Sequence, residues 1–154
     1  MNKDAIIVKA LGKMLTTTCA EASFEALQEV FDLNSGELDW IPCGYMGAIA
    51  SGQTTCGLLN SATAALGLAC GKGKSGRPEE NEAARDKAIA LVNELYRNFI
   101  EKFQTTQCKT LLQFDFSTRG PSQFMEAKIY EGKCDVFLNF VINYCMDIVQ
   151  KNKL

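Results

Sequence analysis

Residues 54–71, TTCGLLNSATAALGLACG, decide the fold. Thr54 or Thr55 can cap a first helical turn, and Gly71 suits the left-handed exit from a last one. Between them Leu58, Leu59, Ala62, Ala65, Leu66 and Ala69 leave only Asn60, Ser61 and Thr63 as polar interruptions. A helix apolar on nearly every side has no solvent face and belongs in the middle of a bundle. Ala62, Ala64, Ala65 and Gly67 keep it thin, so neighbouring helices can approach closely. Cys56 falls in its first turn, where unpaired backbone N–H groups and the helix dipole favour a thiolate.

On the N-terminal side, residues 3–14 form a short amphipathic helix with Ile6, Ile7, Ala10, Leu11 and Met14 on one face. Thr18 and Glu21 have capping-box spacing, which puts Cys19 at the first position of a second helix striped by Ala22, Phe24, Leu27, Val30 and Phe31. Asn34-Ser35-Gly36 ends it. Pro42 at a first helical position would again place Cys43 in a first turn, although Gly44, Gly47 and Gly52 weaken that helix. On the C-terminal side, residues 79–103 read as the longest helix, with Ala84, Ala88, Leu91, Val92, Leu95, Phe99 and Phe103 along one side. A short helix beginning at Thr105 or Thr106 carries Cys108 in its first turn. After a loop at 115–123 and a helical turn in FMEAKIY, a last helix runs from Cys134 to about Gln150, striped by Phe137, Val141, Tyr144 and Ile148. No segment alternates over strand length. The expected architecture is all-α: one domain over residues 1–154, a bundle of about six or seven helices around a buried, small-residue central helix.

Bulk properties exclude several classes of function. At 154 residues the chain can bury roughly 70% of its unfolded surface and needs no disulfide to hold a core. Its net charge is −2 with interspersed signs, so no basic face for nucleic acid is expected. The longest apolar stretch is too short and too interrupted to span a bilayer, and residues 1–13 lack the features of a signal peptide. A cytoplasmic location follows as the default. Loop 71–76, GKGKSG, has the letters of a dinucleotide fingerprint but follows a helix, not a strand; Leu68 stands where a P-loop needs glycine.

The cysteines carry more. There are seven, an odd number, which argues against a fully paired secreted scaffold. There is no histidine, which removes Ser-His and Cys-His nucleophile pairs, mixed Cys/His zinc sites and His-ligated haem. Cys19, Cys43, Cys56, Cys108 and Cys134 all fall in expected first turns, where a thiol pKa can drop without histidine, helped by Lys109 and Lys133. Cys70 lies at a helix end and Cys145 on an apolar stripe. For any single position, a buried cysteine acting as a small hydrophobe is the competing explanation.

The order CAEASFEAL, GYMGAIASGQTTCGLLNSATAALGL, FIEKFQTTQCKTLL and a final KC resembles the C-GCAxxG-C-C family, small proteins labelled redox-active, over about residues 18–145. The resemblance implies Cys19, Cys56, Cys108 and Cys134 as the functional set. Gly57 stands at the motif's alanine and Asn60 at its last glycine. A similar cysteine-bearing domain occurs in split-Soret cytochrome c beside haem and an iron–sulfur centre; its haem part cannot transfer, because C-x-x-C-H requires histidine. Two chemistries fit four such thiols. They can ligate an iron–sulfur cluster, with zinc second to it, or work without cofactor as a dithiol/disulfide pair. A helical structural or partner-binding protein with inert, packed cysteines is the alternative. The redox reading implies a redox partner and admits a homodimer; no reaction or substrate is named by the sequence.

Overall fold

The structure, a computed structural model, describes residues 2–33, 36–151 and 154. It is all-α, with eight helices among the described residues: α1 (Lys3–Lys13), α2 (Cys19–Phe31), α3 (Tyr45–Ala50), α4 (Gly57–Gly71), α5 (Glu82–Phe103), α6 (Cys108–Leu112), α7 (Pro121–Glu126) and α8 (Cys134–Gln150). Short 3₁₀ turns occupy Gly36–Trp40 and Pro78–Glu80. None of these helices is long and apolar enough to cross a membrane.

The all-apolar stretch is the centre of the bundle. α4 packs against α2, α3, α5 and α8, and α1 lies across α2 and α8. Leu58, Leu59, Ala62, Ala65 and Leu66 are fully shielded, a consequence of apolar side chains on every turn. The helix is nonetheless not closed all round, as the sequence suggests. Gly67 and Gly71 are exposed, and with Ala64 and Leu68 they floor a groove between α4 and α5. Removing side-chain bulk there thins the helix so far that α5 leaves its backbone open.

Two polar contacts pin α2 to α4. Ser61 Oγ donates to Ala20 O at 2.7 Å across the interface, and Ser23 Oγ donates to the same carbonyl at 3.1 Å. Both serines are buried, and these bonds offset the cost of removing their hydroxyls from water. At the other end of α2 the Lys72 ammonium reaches Asp32 O at 2.6 Å and Phe31 O at 3.4 Å, where a cation suits helix-terminal carbonyls. Phe99 and Phe103 of α5 pack against Phe137 and Phe140 of α8 with ring centroids 4.9–5.8 Å apart, edge-on except for the tilted Phe99–Phe137 pair.

Several boundaries differ from those the sequence suggests. The central helix starts at Gly57, because residues 54–56 are extended and pair with residues 106–108 instead of opening the helix. The left-handed residue after α4 is Gly73 (φ 72°), while Gly71 is still helical. The long helix starts at Glu82, after the separate 3₁₀ turn at Pro78. α7 occupies part of the stretch read as loop, since Pro121 opens a helix well. α2 ends at Phe31 with Asp32 left-handed (φ 53°); Asn34 and Ser35, read as its terminator, lie outside the described residues.

Candidate functional site

Four helix starts converge at one end of the bundle, each delivering a cysteine. Cys19 is the first residue of α2. Thr18 caps that helix by accepting from Glu21 N at 3.2 Å, and the Glu21 carboxylate accepts from Thr18 N at 3.0 Å. Cys134 is the first residue of α8 and follows Gly132, whose φ of 75° lets the chain turn sharply into the helix.

Cys56 and Cys108 are placed by a device of their own. Thr55 and Gln107 form an isolated antiparallel bridge, in which Cys56 N donates to Thr106 O at 2.7 Å and Cys108 N donates to Thr54 O at 3.1 Å. Side chains alternate along extended chain, so both cysteines leave the ribbon on one face while Thr55 and Gln107 take the other. Each segment then turns into its helix, α4 or α6. The sequence signal for this ribbon is the Thr-Thr pair before each cysteine, since β-branched residues favour extended backbone.

All four thiols line a cavity of about 260 Å³ with no charged side chain in its wall. Cys56, Cys108 and Cys134 are buried, and Cys19 is half-buried. Gly57 makes the approach of α2 possible: a Cβ built there would stand 3.1 Å from Cys19 Sγ, 3.1 Å from Ile49 Cδ1 and 3.2 Å from Ala20 Cβ. Thioethers join the thiols, because Met14, Met46 and Met125 line the same cavity from α1's end, α3 and α7. These methionines, the glycine contact and an aromatic wall of Phe116, Phe124 and Tyr130 escape sequence reading, since nothing in their spacing ties them to a distant cysteine.

The thiols' titration runs opposite to the sequence expectation. Burial pushes Cys56 up to about 11, although the N–H groups of Leu58 and Leu59 pull it down. Burial, then the charge of Cys56, pushes Cys108 up to about 12. Cys19 and Cys134 rise as well, first from burial and then from the other thiols, so every pair among the four interacts. The two lysines expected to lower these values are engaged elsewhere. Lys109 pairs with Asp115 at 2.5 Å, and Lys133 Nζ donates to Leu112 O at 2.8 Å, lowering Cys134 only slightly. Helix N-termini therefore lose to desolvation at this site.

The remaining cysteines stand apart. Cys43 is not in a first turn: Pro42–Gly44 is a turn before α3, and the exposed Cys43 thiol donates to Glu21 Oε1 at 3.5 Å. Cys70 is buried at the end of α4 and Cys145 inside α8. Among the described residues, no three His, Cys, Asp or Glu side chains close on one point as a ready ion chelate; the four sulfurs ring a cavity instead.

Residues 17–148 match the family described as "Putative redox-active protein (C_GCAxxG_C_C)". The chain belongs to this family. The match spans all four convergent cysteines and most of the chain. Neither the curated proteins nor the solved structures searched contain a match.

Proposed function

We propose that Cys19, Cys56, Cys108 and Cys134 together hold an iron–sulfur cluster, and that the protein transfers electrons through it to a redox partner. The observation that carries this reading is the convergence of four thiols, from four separate helix starts, on one uncharged cavity. Three buried thiols and the half-buried Cys19, electrostatically coupled to one another, cannot all ionise unaided; a bound cationic centre reverses that logic and draws off their protons. An all-sulfur donor set fits an iron–sulfur cluster as it fits zinc. Zinc at about 2.3 Å from each sulfur needs four sulfurs drawn to one point, whereas these ring an open cavity, which favours the larger group. Bound there, a cluster supplies one-electron transfer. The chain's own part is to supply neutralising thiolates, to aim the N–H groups of Ala20, Leu58 and Leu59 toward the sulfurs of Cys19 and Cys56, and to exclude water with Ile49, Leu58 and Phe137. Anaerobic purification followed by iron and sulfide analysis, with visible absorbance before and after dithionite, tests this. Iron and sulfide in equal amount with reducible visible bands support it; colourless, metal-free protein overturns it.

The electrostatic coupling of the thiols around one cavity also supports a second reading, a dithiol that gives two electrons and two protons to the redox partner and closes a disulfide. The half-buried Cys19 would then be the accessible sulfur and a neighbour the resolving one. Free-thiol counts before and after a mild oxidant, with peptide mapping of the linked pair, separate it from the cluster.

A further inference from the structure

The wall of the cysteine cavity changes character from its buried to its exposed residues. Its floor is sulfur and buried aliphatic carbon, with Cys56 5% and Leu58 0% exposed. Its mouth is apolar and open to solvent, with Leu15 55% and Met125 37% exposed. One side is an aromatic ladder, Phe116 to Phe124 at 5.0 Å and Phe124 to Tyr130 at 6.2 Å between ring centroids. No Asp, Glu, Lys or Arg contributes to the wall. The threonine hydroxyl protons at the rim are already engaged, Thr16 Oγ1 and Thr17 Oγ1 donating to Lys13 O at 3.2 and 3.0 Å. A charged ligand would be desolvated there without a counter-charge, which is costly. A flat apolar ring would replace water against aromatic and thioether surface at no such cost. About 260 Å³ exceeds the roughly 150 Å³ that suffices for benzene, so the cavity taken whole has room for a ring.

We propose that the mouth of this cavity binds a small, neutral ring molecule of bicyclic size or less, seated between the aromatic ladder and Met125 and facing the thiols. This names the ligand class of the proposed redox site and rests on that reading for its function, though not for its binding. Nucleotides, phosphorylated compounds and carboxylic acids meet no counter-charged side chain in that wall.

The test is a matched series on anaerobically purified protein: indole, indole-3-acetate and tryptamine, followed by calorimetry and saturation-transfer NMR. Indole should bind saturably at one site, and the two charged analogues at least ten-fold more weakly. Met125→Trp, which fills the mouth, and Leu15→Asp, which charges it, should each weaken indole binding at least ten-fold with cooperative unfolding retained. Should either variant fail to fold, the wild-type series decides alone. Absent saturable indole binding, equal binding of the charged analogues, or unchanged binding in both folded variants overturns the proposal. Iron analysis of the same preparations separates the two readings. Indole bound without iron removes the cluster and leaves the ligand site; iron without indole binding removes the ligand site alone.

Discussion

At Cys56 two effects oppose each other on one sulfur. The N–H groups of Leu58 and Leu59 favour the thiolate, and burial disfavours it by more, leaving the thiol at about 11. As a free thiol it is therefore protonated at neutral pH, and only a bound cation or oxidation changes that. Cys145 is shielded further still and sits mid-helix in α8, within the hydrophobic core. The two alanine variants should diverge accordingly. Cys145→Ala should cost about 1–2 kcal/mol of stability, read by urea unfolding, and leave iron content or disulfide formation intact. Cys56→Ala should abolish bound iron or disulfide formation even where the fold survives. Gly57, next along the chain, offers a second residue-scale test. A Cβ there already stands 3.1 Å from Cys19 Sγ, so the larger Gly57→Val should cost about 1–3 kcal/mol through overpacking. It should also slow iron loading, as measured by reconstitution rate, because Cys19 must shift away.

At the scale of elements, the site depends on how helices begin. α2 starts with a complete capping box, so Cys19 inherits its position from Thr18 and Glu21. Thr18→Ala should cost about 1 kcal/mol in chemical denaturation, and Thr18→Ser should restore most of it. If the cap also positions the sulfur, alkylation of Cys19 should speed up in the alanine variant and return to normal in the serine one. Cys56 and Cys108 are held differently, by the two backbone hydrogen bonds of the Thr55–Gln107 bridge. Those bonds use backbone groups alone, so side-chain changes at Thr55 or Gln107, which face away from the cysteines, should leave the site intact.

For the whole molecule, four thiols with raised pKa values tie stability to pH. Each is neutral in the folded, metal-free protein at pH values where the unfolded chain has already ionised it. The stability that burial of neutral thiols represents is thus fully present below the ordinary value of 9.0 and lost as pH climbs through about 11 for Cys56 and about 12 for Cys108. Scanning calorimetry of the reduced, metal-free protein should show a melting temperature that falls steadily above pH 9. For Cys56 alone the full loss is on the order of 3 kcal/mol. The double variant Cys56→Ser, Cys108→Ser should flatten the decline, and a melting temperature that rises over the same window would contradict the folded-state ordering.

Local chemistry by itself determined much of this protein. Apolar stripes at helical spacing fix α2, α5 and α8, unbroken apolarity places α4 at the centre, and the Thr18–Glu21 pair sets the first residue of α2. The sequence places five thiols at expected helix starts, and the family resemblance, not the caps, singles out the four that come together. Tertiary structure alone decided what surrounds them. The pairing of residues 54–56 with 106–108 joins segments about fifty positions apart, and no local preference encodes which extended segment another will find. Thiol acidity likewise depends on how much water the assembled cavity excludes. That quantity comes from Ile49, Leu58, Phe137 and their neighbours closing over the sulfurs, and it overrides the helix dipoles that each cysteine's local sequence supplies.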